Sequence, residues 1–130
     1  MTALADIELE LITRGTARFP SAVVRDELDN NLLNELPTIQ IRQIPAGDDD
    51  GLLLARMLVD IDVYAATRAE AISLARDVHD WVTGELRGSS GTSLVIGRTA
   101  ALALPAARDY ENTGLRRVGA TYAIFCHPVS

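Results

Sequence analysis

Apolar and polar residues alternate most cleanly between Ala55 and Ala65. Met57, Val59, Ile61, Val63 and Ala65 fall on one face of a strand, with Arg56, Asp60, Asp62 and Tyr64 on the other. The run Thr38–Ile44, entered through Pro37, has the same period and predicts a strand with one apolar face. The two form a hairpin, and the stretch Pro45–Gly51 between them reads as a loop with an acidic tip, Asp48, Asp49 and Asp50. After Ala65 the period changes. Thr67 and Glu70 make a capping box, followed by Ala71, Leu74, Ala75, Val78, Val82 and Leu86 along one helical stripe. Gly88-Ser89-Ser90-Gly91 stops that helix. Two more strands are predicted, from Thr92 to about Leu104 and from Arg117 to about His127, joined by a polar loop over Pro105–Gly114.

The beginning of the chain is less regular. Ile7, Leu9 and Leu11 alternate as in a strand, whereas Leu4, Ile7, Leu11 and Ile12 share a helical face. Early acids (Asp6, Glu8, Glu10) and late arginines (Arg14, Arg18) suit a helix dipole, so Leu4–Ala17 is read as a helix despite Gly15. Phe19-Pro20-Ser21 ends it, Ala22–Val24 reads as a short strand, and Asp29-Asn30-Asn31 is turn chemistry. The expected fold is α+β: one mainly antiparallel or mixed sheet against two helices, in the order α-β-β-β-α-β-β, as a single domain over residues 1–130.

Composition narrows the function. The chain has 130 residues, enough for one self-sufficient core, and only 5% of them are aromatic, so that core is aliphatic. All 12 basic residues are arginine, a residue suited to bidentate contacts at interfaces, although GC-rich coding alone would give the same bias. A formal charge of −6 argues against a duplex-binding surface. The single cysteine, Cys126, lies in an apolar run and reads as a small core residue. Neither a signal peptide nor an apolar stretch of membrane-spanning length is apparent, so a cytosolic origin is expected.

Catalytic chemistry finds little to stand on. His79 sits beside a helical apolar stripe, and Cys126 and His127, as strand neighbours, point to opposite faces. No glycine-rich loop opens a helix in the manner of a phosphate site. No enzyme activity, cofactor or metal is therefore expected. The Asp48–Asp50 run lacks the ligand spacing of a calcium loop and reads as a solvated tip. Asp60 and Asp62 need solvent or a cation, because acids on one strand face repel. The sequence leaves open whether Arg42 or Arg56 supplies it within the sheet or an arginine of a neighbouring subunit does.

Two stretches carry a family resemblance. Val59–Ala71, continuing through Leu74-Ala75, and Tyr110–Tyr122, together with the N-terminal helix and the Leu36-Pro37 entry to a strand, resemble the tail terminator (tail completion) proteins of long, non-contractile-tailed phages, especially those of actinobacterial hosts. The resemblance spans most of the chain and contains no catalytic signature. It implies a virion protein, assembled in the host cytoplasm, that forms a ring, usually a hexamer, at the head-proximal end of the tail. Such a ring contacts the major tail tube protein below and head-tail connector or stopper proteins above, and phage DNA passes through its lumen without specific binding. A net-acidic lumen would avoid retarding that DNA. A closed ring needs heterologous contacts, for which the acidic tip (Asp48, Asp49, Asp50), Asp60, Asp62, the late loop with Tyr110 and Asn112, and the pair Arg116–Arg117 are the candidate residues. For the arginine pair, internal pairing or solvation stays open beside contact with a partner. The alternatives in function are another connector component, a tube subunit, or a small cytosolic α+β binding module.

Overall fold

In the computed structural model of the chain, residues 6–49, 54–91, 94–111 and 114–129 are described, Asp49 by its main chain alone. Helix α1 (Ile7–Arg18) starts where the Asp6 carboxylate accepts the Leu9 N–H at 3.0 Å. Gly15, the residue that argued against a helix, lets α1 pack closely. A Cβ there would press on Val24 at 3.3 Å and on the Trp81 ring at 3.4 Å. Strand β1 (Val23–Arg25) follows, then a short 3₁₀ turn (Leu32–Asn34) and the hairpin strands β2 (Thr38–Asp49) and β3 (Ala55–Ala65). Helix α2 (Arg68–Asp80) is capped by the Thr67 hydroxyl, which accepts the Glu70 N–H at 3.2 Å, and it runs on into one π-helical turn, Trp81–Glu85. Strands β4 (Ser89–Ser90), β5 (Leu94–Arg108) and β6 (Arg116–Pro128) complete the chain.

Among the described residues, six strands form one mixed sheet in the order β1-β2-β3-β6-β5-β4, in which β1 and β2 run parallel and the other neighbours antiparallel. Both helices cover the same face. Met57, Val59, Ile61 and Val63 of β3 and Val118, Tyr122 and Ile124 of β6 meet Ile7, Leu11, Ala71, Val78 and Trp81 in the main core. Trp81 stands edge-on to Phe19, with centroids 5.5 Å apart. The expected α+β architecture is therefore present, with one further short strand.

Three local expectations are corrected. The stretch Pro45–Gly51 is not a loop from its start, since β2 continues to Asp49 after a bulge between Gln43 and Gly47. Gly47 makes this feasible: its φ is +115°, and a Cβ there would collide with the Arg56 carbonyl. Pro45 is tolerated within the bulge, beyond the part of β2 that β1 covers. Similarly, β5 passes through Pro105 and ends at Arg108, so the connection to β6 is 109–115 and not Pro105–Gly114. Its pairing with β6 shifts register twice between Ala101 and Ala106, as suits a bulged edge strand. Lastly, Ser89-Ser90 does more than stop a helix, because it pairs with Val95 and Ile96.

Candidate interface surfaces

The sheet face away from the helices carries most of the charge. Strand alternation puts Asp60, Asp62 and Tyr64 there, directly opposite Thr121, Gly119 and Arg117 of β6. Asp62 is only 1% exposed, and its two oxygens accept from Arg108 Nη1 at 3.1 Å and Arg117 Nη2 at 3.0 Å. Asp60 Oδ1 takes the Thr121 hydroxyl at 2.5 Å and lies 3.4 Å from Arg108 Nη1. Arg108 Nη2 also donates to the Thr121 hydroxyl at 3.2 Å. The network lies flat over β6 because residue 119 has no side chain: a Cβ there would overlap both Asp62 Oδ1 and the Arg108 side chain. The two acids are thus met within the sheet, by Arg108 and Arg117. Arg56, one of the two internal partners considered, instead lies 3.7 Å from Asp48.

The network perturbs its neighbours. The hydrogen bond to Asp62 raises the Arg117 pKa above its already high ordinary value. Burial, reinforced by the Asp62 charge, pushes the Tyr64 phenol from 10.0 up to about 12. That phenol donates to Gln40 Oε1 at 2.9 Å. Its ring anchors a second small core with Leu32 and Leu115, and Tyr110 packs edge-on to it at 5.3 Å. Beside this core is a cleft of about 310 Å³ lined by Arg68, Arg108, Asp109, Tyr110, Arg116 and Arg117. Arg116 is exposed at its rim, with Nη1 3.4 Å from the Leu115 carbonyl.

The candidate residues accordingly separate into two groups. Asp62, Tyr110, Arg116 and Arg117 gather towards the end of the sheet where β3 finishes and β6 begins, and Asp60, at the middle of β3, joins them through Arg108. Asp48 and the main chain of Asp49 lie at the opposite end, where Asp49 pairs with Ala55. Ten residues of strand separate the two ends, roughly 33 Å. Asp50 and Asn112 lie outside the described residues.

One surface was missed by reading the sequence. Leu102 and Leu104 on β5 are 51% and 70% exposed, in a run from Thr99 to Ala107 that contains no charged residue. That uncharged run is the signal; it was hidden because Pro105 reads as the end of a strand. Of the other chemistry-bearing side chains, His79 and Cys126 are engaged within the fold and His127 is exposed. His79 Nδ1 is 2.9 Å from the Tyr122 hydroxyl, and His127 Nδ1 is 3.0 Å from the carbonyl of Pro128. Cys126 is buried beside Met57, with the sulfurs 3.8 Å apart, and burial pushes its thiol from 9.0 up to about 11. Among the described residues, no group of three or more His, Cys, Asp or Glu is arranged to hold a metal ion, and no helix is long and apolar enough to cross a membrane.

No protein-family model matches the chain, and no curated sequence is detectably similar to it. Among solved structures, a chain from the virion of a native gene transfer agent (GTA) particle shares its fold, with a TM-score of 0.67. The match covers 93% of this chain and 94% of that one at 16% identity, so the likeness is one of fold over nearly the whole of both.

Proposed function

We propose that the protein is a structural component of a phage or phage-like virion, and that within the virion it is a ring-forming tail terminator. It caps the head-proximal end of the tail tube, stops tube growth and offers its upper surface to the connector. The observation that carries this reading is the near-complete sharing of one fold with a chain of a gene transfer agent virion. The stretches Val59–Ala71 and Tyr110–Tyr122, which resemble terminator proteins, add the finer assignment. They form β3 with the start of α2, and the loop with the first half of β6. Those are the two adjacent central strands and the cleft at their end.

The role is mechanical, not catalytic. His79 is engaged by the Tyr122 hydroxyl and Cys126 is buried beside Met57, which supports it. In the ring, the overall charge of −6 would keep a lumen from retaining DNA in transit. Mass photometry and electron microscopy of the purified protein test the reading. A closed ring, expected to hold six copies of the 14.0 kDa chain, and arrest of tube growth when it is added to tail tube protein are the expected results. Filaments of indefinite length formed by the protein alone would sink it.

A further inference from the structure

Strand β5 is an outer strand of the sheet, and its free side is finished along only half its length. At the start, β4 pairs with Val95 and Ile96, and the Gly88 N–H donates to the Gly97 carbonyl at 2.9 Å. Arg87 Nη2 then donates to the Thr99 carbonyl at 2.7 Å. From Ala100 to Ala107 no main-chain partner lies along that side among the described residues. Soluble proteins normally protect such an edge with charge. Here it carries Leu102 and Leu104, both more than half exposed.

The far edge of the same sheet is complementary. Strand β1 lies four strand spacings away, roughly 19 Å along the sheet, with α1 packed over it. Residues 23–36 hold Asp26, Glu27, Asp29 and Glu35 against Arg25 alone, a net charge of −3. Residues 86–107 hold Arg87 and Arg98 and no acid, a net of +2, and Arg108 beyond them is taken up by Asp60 and Asp62. Arg98 is exposed, and so are Asp26 and Glu27. Apolar surface is present on this side too, at Leu9 on α1 and Leu33 after β1, 60% and 54% exposed. One edge is therefore basic beside an apolar run and the other acidic with apolar side chains of its own. Two different surfaces that match each other are what a head-to-tail contact between copies requires.

We infer that the Ala100–Ala107 edge of β5 docks against the β1 edge of a second copy of this chain, with Leu102 and Leu104 at the centre of the contact and Arg98 facing Asp26 and Glu27. This deepens the ring reading above by naming the two surfaces that meet, and it rests on that reading for closure into a ring. The test is self-association measured by sedimentation at about 100 μM, well above the ~μM range of modest contacts. The L102Q/L104Q double variant should weaken association by about a hundredfold or more. Arg98→Glu and Glu27→Arg should each weaken it by about tenfold, and the two reversals in one chain should restore it. Thermal unfolding of each variant separates lost folding from lost contact. If a variant unfolds, Leu102→Ser alone replaces it and must still weaken association. A ring indifferent to all these changes overturns the edge contact and leaves the terminator reading standing. Filaments that depend on the edge keep the contact and overturn the terminator. A wild-type monomer overturns both.

Discussion

Gly119 is where a single atom decides whether the charged face can exist. Adding a methyl group there drives into Asp62, which has no room to move because both its oxygens are held by arginines. Gly119→Ala should therefore cost about 3 kcal/mol, combining overpacking with disruption of a buried ion pair, as measured by urea unfolding. Tyr64, in the same cluster, makes stability depend on alkaline pH. Its folded pKa is raised from 10.0 to about 12, so its contribution is complete below pH 10 and is lost as the pH climbs towards 12. Between pH ~10 and ~12 the melting temperature of the wild type should fall more steeply than that of Tyr64→Phe. The slope left in the variant belongs to Tyr122 and Cys126, whose pKa values burial also raises. Equal slopes in the two proteins would contradict this assignment.

At the scale of elements, β3 and α2 were legible because each obeys one period throughout. The bounds Ala55–Ala65 follow from alternation alone, and the cap at Thr67 from hydrogen-bonding chemistry. Val59→Asp should leave the chain unfolded by circular dichroism, since Val59 is fully buried within the apolar cluster under the helices. A native spectrum would mean that the inner face is misassigned. The strands that were misjudged, β2 and β5, both contain a proline and a bulge. A bulge breaks the period that sequence reading relies on, and proline is a stop signal everywhere except on an edge, a status that only tertiary pairing confers. The ion pairs were hidden for a related reason. Arg108 lies 46 residues from Asp62, and Arg117 lies 55 away. Only the β3–β6–β5 order, which no local pattern encodes, brings them to one place.

At the scale of the whole molecule, the arginine pair divides into two roles. Arg117 neutralises a buried acid, so Arg117→Glu should lower stability by about 3–5 kcal/mol whatever the assembly state. Arg116 is exposed at the rim of the cleft, and if the proposed ring forms, Arg116→Glu should weaken its assembly while costing less stability than Arg117→Glu. Mass photometry alongside calorimetry reads the two effects separately. Unaltered assembly of Arg116→Glu would remove this residue from the interface. The double substitution, by contrast, would confound folding with association.

Trp81 is the only tryptophan in the chain, 3% exposed and enclosed by Phe19 and the close approach of α1 at Gly15. Its fluorescence is thus a reporter of this subunit's interior and of nothing outside it. Emission stays short in wavelength while the core is intact and moves to the red once water reaches the indole, whether or not copies are joined. The molecule carries a built-in signal for its own unfolding that would be blind to disassembly of the proposed ring. A ring that falls apart on heating before its subunits unfold would show a drop in light scattering first and the red shift only later.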